Sequence, residues 1–214
     1  MSRALLISLY VLAVDVPLLL VLGTSLGWLF ARGKFFGREI LLILVLLPIA
    51  LPPSVLGLYL LLFFGQLPFL RPLRLLFSFP GAALAALISS LPIMVQSTRA
   101  GFSAVPWHLE EAARTLGDGD WRVFWRVSLP LSRRSLVAGI ALAAARALGD
   151  FGLTLMIAGN IPGRTQTLPL YIYSQIEALE FGMANLAALL LVAVGIASLA
   201  LVKRMERGRH ERFL

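Results

Sequence analysis

Residues 40–66 read ILLILVLLPIALPPSVLGLYLLLFFGQ, without one Asp, Glu, Lys or Arg. A bilayer core about 30 Å thick is crossed by about 20 mostly apolar helical residues. The run is therefore long enough to span, and it decides how the rest of the chain is read. That chain has 214 residues, 59% apolar and only 14% charged, with a mean hydropathy of +0.87; ordinary soluble domains carry about 25% charged residues. Too few polar residues remain to cover a water-soluble globule. Intrinsic disorder is excluded as well, because it requires low hydrophobicity. The reading is an all-α integral membrane protein.

Working outward from this run, four more segments have the length and composition of spans: 4–31, 77–98, 135–161 and 181–202. The first carries only Asp15, which has no basic partner in its own span; the segment 135–161 is interrupted by Arg146 and Asp150. The first apolar run far exceeds the core of a cleaved signal peptide. Five transmembrane helices are expected. The net charge of +8 is not a nucleic-acid footprint, since the basic residues punctuate apolar runs. It sets topology instead. With the N-terminus outside, the loops 32–39, 99–134 and 203–214 face the cytoplasm with fourteen basic residues, and only Arg3, Arg71, Arg74 and Arg164 lie outside. The protein is N-out, C-in and multi-pass. No linker separates domains, so residues 1–214 form one transmembrane unit. The outer connection at 65–77 holds Pro68 and Pro72. In the stretch 162–180, Pro169 can open a helix too short to span, re-entrant or interfacial.

Absences narrow the chemistry. No cysteine is present, and His108 and His210 have no metal-ligand spacing. There is no G-x-x-x-x-G-K-[ST] phosphate loop, no H-E-x-x-H and no G-x-S-x-G. Neither a catalytic nor a metal site is expected. An intramembrane enzyme would have only Arg146, Asp150 and Asp15 to work with, and these make no nucleophile–base pair. A membrane scaffold that merely docks a partner is another reading.

The cytoplasmic loop 99–134 is patterned. Pro106 can start a helix, WHLEEAARTL follows, and Gly117 suits the left-handed position that ends it. Asp118 or Asp120 can cap a second short helix over 121–127, stopped by Pro130. Leu109, Ala112, Ala113 and Leu116 recur at helical spacing, with Glu110, Glu111 and Arg114 at the edges. This is either an amphipathic loop on the membrane surface or a docking element for a cytoplasmic partner.

Glu111-Ala112-Ala113, three residues, Gly117, nine residues and Val127-Ser128-Leu129-Pro130 resemble the EAA loop of binding-protein-dependent ABC importer permeases. Val127 in place of Ile is the one departure from that pattern. Leu51-Pro52-Pro53, the SLPIMV stretch at 90–95, Gly149-Asp150-Phe151-Gly152 and the GNIPGRTQT stretch at 159–167 are similar to the molybdate permease subfamily. Gly159 stands there for Ser, and Asp150 where Glu is commoner. The resemblance implies the type I ABC importer permease fold in a prokaryotic cytoplasmic (inner) membrane, with the 99–134 loop as a coupling hairpin. It also implies a homodimer, a cytoplasmic ABC ATPase dimer that binds ATP-Mg in place of any cofactor in this chain, and an extracytoplasmic oxyanion-binding protein. Glu110, Glu111, Ala112, Ala113, Gly117, Leu129 and Pro130 would couple to the ATPase. The cargo would be molybdate, or else sulfate, tungstate or another anion.

Inside the spans, Pro48, Pro52 and Pro53 can break the second helix beside a cavity. Ser89 and Ser90 offer hydroxyls at similar depth, and Arg146 and Asp150, four apart, can pair on one face. With Asn160 of the outer stretch, Pro52, Pro53, Ser89, Ser90, Arg146 and Asp150 are the candidate residues of a translocation pathway. For Arg146 and Asp150 a structural ion pair beside the pathway is favoured over a stable anion site.

Overall fold

The computed structural model describes residues 1–67 and 74–210; Pro68, Arg71 and Pro72 of the outer connection, and Arg212 of the tail, lie outside them. Among the described residues every element is helical. In chain order these are α1 (Ser2–Arg32), α2 (Arg38–Ala50), α3 (Pro53–Gln66), α4 (Phe79–Ser103), α5 (Trp107–Thr115), α6 (Asp120–Leu148), α7 (Gly152–Ala158), α8 (Leu168–Glu177) and α9 (Phe181–His210). Four of them, α1, α4, α6 and α9, are each long and apolar enough to cross a membrane, and the bent pair α2–α3 has the length and composition of a fifth span when its two helices are taken together.

The second span breaks at its double proline, into two helices of which the second is turned by 118° from the first. The cause is the double proline. A residue before proline is pushed out of the α region, and here two successive residues precede one: Leu51 at ψ 143° and Pro52 at ψ 133° are both extended. Pro53 then opens α3, where its missing N–H costs nothing. Pro48, preceded by a helical residue, stays inside α2. The two helices nevertheless run along α4 together. Leu42 of α2 shares an apolar cluster with Val95 and Leu91 of α4, whereas Leu56 and Leu60 of α3 cluster with Ala85 and Ile88, so successive contacts climb α4 from its inner half to its outer half.

The fourth span is displaced from 135–161. Its helix runs from Asp120 to Leu148, and the residues after it form a break at 149–151 and the short α7. Nor does Pro130 stop a separate helix at 127. A π-helical turn, Phe124–Ser128, lies immediately before it, and the helix continues through Pro130. Proline clashes with the carbonyl four residues back; a π turn displaces that carbonyl, which lets the ring fit. Asp118 and Asp120 cap nothing: Gly119 is the N-cap, and the two carboxylates pair instead with Arg126 at 3.2 Å and Arg114 at 3.0 Å.

The helix α4 is the centre of the subunit. In its most apolar window 61% of residues are buried, against 11% for α9, which lies outermost. Its small residues admit close neighbours, the usual basis of helix packing in lipid. α1 exploits this through Gly23 and Gly27, one turn apart. A Cβ at Gly23 would collide with the Met94 side chain, and one at Gly27 with Thr98 Cβ and Oγ1. Thr98 Oγ1 donates to Gly23 O at 2.8 Å. We expect Gly27→Leu to lose the folded protein, since overpacking a tight contact costs about 1–3 kcal/mol or more; a monodisperse peak of normal height on size exclusion in detergent would contradict this.

Candidate functional site

The cytoplasmic hairpin begins where the chain leaves α4. Pro106 precedes α5, and Gly117, at φ 93°, ends it. Gly117 N–H donates to Arg114 O at 3.0 Å and Asp118 N–H to Ala113 O at 3.1 Å. These paired bonds close a helix through a left-handed residue, as the sequence predicts for Gly117. The burial of α5 inverts the usual pattern. From Trp107 to Gly117 the only buried residue is Glu110, at 4% exposure. Leu109 is 40%, Trp107 65% and Leu116 88% exposed, and Ala112 and Glu111 are exposed beside them. Apolar residues at helical spacing thus point outward, and one carboxylate points in.

Glu110 is held firmly, so it does not form a polar edge with Glu111 and Arg114. Its Oε1 accepts from Arg32 Nε at 3.1 Å, Arg32 Nη2 at 3.0 Å and Ser128 Oγ at 2.8 Å. Arg32 Nη2 also donates to Val105 O at 2.9 Å. Sequence spacing gives no hint of these partners, which lie 78 and 18 residues away from Glu110. Alongside, Phe124 of the π turn meets Trp28 of α1 edge-on, ring centroids 5.4 Å apart, and Phe102 of α4 at 5.9 Å. Of the remaining hairpin residues, Ala113 and Leu129 are half-buried and Pro130 is exposed.

A second candidate region lies where two helix breaks meet. The α2–α3 break packs on the α6–α7 break: a Cβ at Gly152 would sit 2.9 Å from Pro53 Cβ, and one at Gly57 would sit 2.6 Å from Met156 Cβ. Pro52 and Pro53 are exposed on the subunit surface. Beside them Asp150, 2% exposed, accepts from Thr154 N–H at 2.9 Å and Thr154 Oγ1 at 2.7 Å, while Arg146 Nη1 donates to its other oxygen at 3.3 Å. Asp150 is fully engaged, tying down the start of α7. Arg146, with a side chain 34% exposed, uses that single contact. Asp15 is fully buried with neither oxygen hydrogen-bonded.

The structure does not bring the other candidates into this junction. Ser89 and Ser90 are buried within the subunit and donate back to their own helix, Ser89 to Ala86 O at 3.0 Å and Ser90 to Ala86 O and Leu87 O. Asn160 belongs to a knot in the outer stretch: its Nδ2 donates to Ser174 Oγ at 2.7 Å and its Oδ1 accepts from Gln166 Nε2 at 3.0 Å. That knot secures α8, whose first N–H, at Leu168, is bonded to Ser8 Oγ at 2.8 Å. Arg74 and Arg164 line a cavity of about 460 Å³ at this end of the molecule, opposite the arginines of the hairpin.

Comparison with known proteins agrees with this geometry. Residues 23–211 match the family model described as binding-protein-dependent transport system inner membrane component. The chain is 38% identical to the molybdenum transport system permease protein ModB of Escherichia coli K12, over 98% of this chain and 96% of that one. It is 39% identical to ModB of Azotobacter vinelandii over 78% and 77% of the two chains. The sulfate transport system permease protein CysW of Synechococcus elongatus is 34% identical over 99% of this chain and 77% of its own. Among solved structures, an inward-facing MetNI methionine ABC transporter has the same fold, with TM-score 0.70 at 16% identity, covering 96% of this chain and 95% of that one.

Proposed function

This chain belongs to the binding-protein-dependent transport system inner membrane components, and from that premise we propose that it is the membrane-spanning subunit of an ATP-driven importer for molybdate, delivered by an extracytoplasmic binding protein. The observation that carries the reading is the outward-facing apolar side of α5. A helix that exposes Trp107, Leu109 and Leu116 and buries a carboxylate is built to be covered, and exposed apolar patches on that scale mark interaction sites. Its occupant is a cytoplasmic ABC ATPase, two copies of which serve a permease homodimer. Glu111, Ala112 and Gly117 lie on the covered face. ATP binding and the loaded binding protein favour the same arrangement of the dimer, so each promotes the other.

The pathway runs between two copies of the subunit, past the junction of the two helix breaks. Discontinuous helices near mid-membrane are a recurrent way of building transport sites. Pro52, Pro53 and Arg146 face outward there, and Asp150 holds the turn; Ser89, Ser90 and Asn160 act behind it as packing. An oxyanion passing Arg146 meets one partly neutralised cation. That is attraction without capture, as conduction requires. The likeness to ModB over nearly the full length of both chains supports molybdate, and the likeness to CysW supports sulfate as the second reading.

The test is ATP hydrolysis by the permease co-purified with its ATPase in vesicles, with binding protein loaded in turn with molybdate, tungstate or sulfate. We expect stimulation by the molybdate-loaded form. Stimulation by the sulfate-loaded form alone would reassign the cargo, and no stimulation by any would remove the transport reading.

A further inference from the structure

We propose that Arg32, Glu110 and Ser128 form a latch that makes the docking helix α5 move as one body with the inner end of α1 and the π turn of α6. Glu110 and Arg32 are then positioning residues for coupling, and neither touches the ATPase. The inference rests on the reading of α5 as the docking helix.

The need for a latch comes from α5 itself. Nine residues are too few for a stable helix alone, since isolated helices shorter than about 12 residues are marginal in water. Glu110 is its one buried residue, so force applied to the exposed face leaves the helix through Glu110, the solvent-exposed Arg114–Asp120 pair and the two chain ends, and an exposed pair is a weak tie. Those ends are compliant: one is the 104–106 turn, the other the turn at Gly117.

The carboxylate makes the stiff connection. Four bonds converge on or beside it: two from the Arg32 guanidinium, one from Ser128 Oγ, and the bond from Arg32 Nη2 to Val105 O. Together they tie four places in the chain to one point, namely the end of α1, the α4–α5 turn, α5 and the last residue of the π turn. The planar fork of arginine serves Glu110 and Val105 at once, which the single ammonium of a lysine does not. Arg32 is the final residue of a helix that crosses the membrane along α4, where Gly23 and Gly27 lock it to Met94 and Thr98. Ser128 sits two residues before Pro130, at the one irregular turn of α6. A shift of α5 is thereby delivered to two different spans and not absorbed by the loop.

The experiment uses the permease co-purified with its ATPase, reconstituted in vesicles with molybdate-loaded binding protein. Arg32→Gln, Glu110→Gln and the double variant are compared with wild type for ATPase retention, melting temperature in detergent, and molybdate taken up per ATP hydrolysed. All three are expected to keep the ATPase bound. Arg32→Gln leaves the buried Glu110 carboxylate without its counter-ion, Glu110→Gln leaves the partly buried Arg32 guanidinium without its own, both melt lower, the first by more, and the double variant regains stability because neither charge remains. Uptake per ATP is expected to fall at least about 5-fold, the lower bound of ordinary coupling between sites, in all three. Recovery of uptake in step with stability in the double variant would make the pair a fold element and overturn the proposal. Loss of the ATPase from Glu110→Gln would also overturn it, since the latch would then shape the docking surface. Glu111→Lys, run in parallel, tests the docking reading separately: if that variant keeps its ATPase and its coupling, docking fails whatever the latch variants do.

Discussion

Glu111→Lys is expected to abolish retention of the ATPase on the purified permease while leaving the permease itself folded. Glu111 is exposed on the face of α5 that also exposes Leu109 and Leu116. Among the described residues no ion pair involves it. Surface substitutions of this kind change stability by about 0.5 kcal/mol or less, so expression and melting temperature should match wild type. A reversed charge inside an interface is different: like-charge contacts there cost several kcal/mol, enough to weaken binding by more than about 100-fold. The measurements are the ATPase-to-permease ratio after purification and uptake of labelled molybdate into vesicles. Unchanged uptake would mean that α5 is not the docking element. The neighbouring position behaves in the opposite way. Glu110 lies inward in contact with Arg32 and Ser128, so two consecutive glutamates of one motif divide the work between contact and positioning.

That division shows what the sequence conveys and where it stops. Span number, inside–outside polarity and the left-handed end of α5 at Gly117 follow from local composition and spacing, because apolar length, charge bias and glycine φ are local properties. The break at Pro52–Pro53 was legible for the same reason, as a restriction each proline places on the residue before it. The angle it makes, 118°, was not, since tertiary contacts with α4 and α7 determine it. Pro130 misleads because a π turn upstream removes the clash on which its helix-stopping rule depends. The end of α6 at Leu148, thirteen residues earlier than the apolar run suggests, reflects the bonds from Thr154 to Asp150, an alternative to continuing the helix. The inversion of α5 was hidden most deeply. Its apolar positions repeat at helical spacing whichever way they face, and the partners that turn Glu110 inward are distant in sequence.

The same logic separates the two members of the intramembrane ion pair. Asp150→Ala should lose the folded protein, whereas Arg146→Gln should keep it and transport poorly. Asp150 is 2% exposed and its carboxylate accepts three bonds, two of them from Thr154. Removing it frees a buried N–H and hydroxyl at the start of α7 and leaves Arg146 without a counter-ion. Breaking a buried pair in this way costs about 3–5 kcal/mol, and the lower end applies here because the Arg146 side chain is 34% exposed. Arg146→Gln is milder for the fold, since both Thr154 bonds to Asp150 survive. What it removes is the one basic side chain within the membrane part of α6, one helical turn before Asp150. A passing oxyanion would then meet Asp150 with no cation in front of it. Molybdate uptake is expected to fall about 10-fold or more, equivalent to about 1.4 kcal/mol in the barrier, with the ATPase still bound. Yield and melting temperature report on the Asp150 variant, and initial uptake rates on the Arg146 variant. Normal uptake by Arg146→Gln would move the pathway away from the junction of the two breaks and leave the pair a purely structural one.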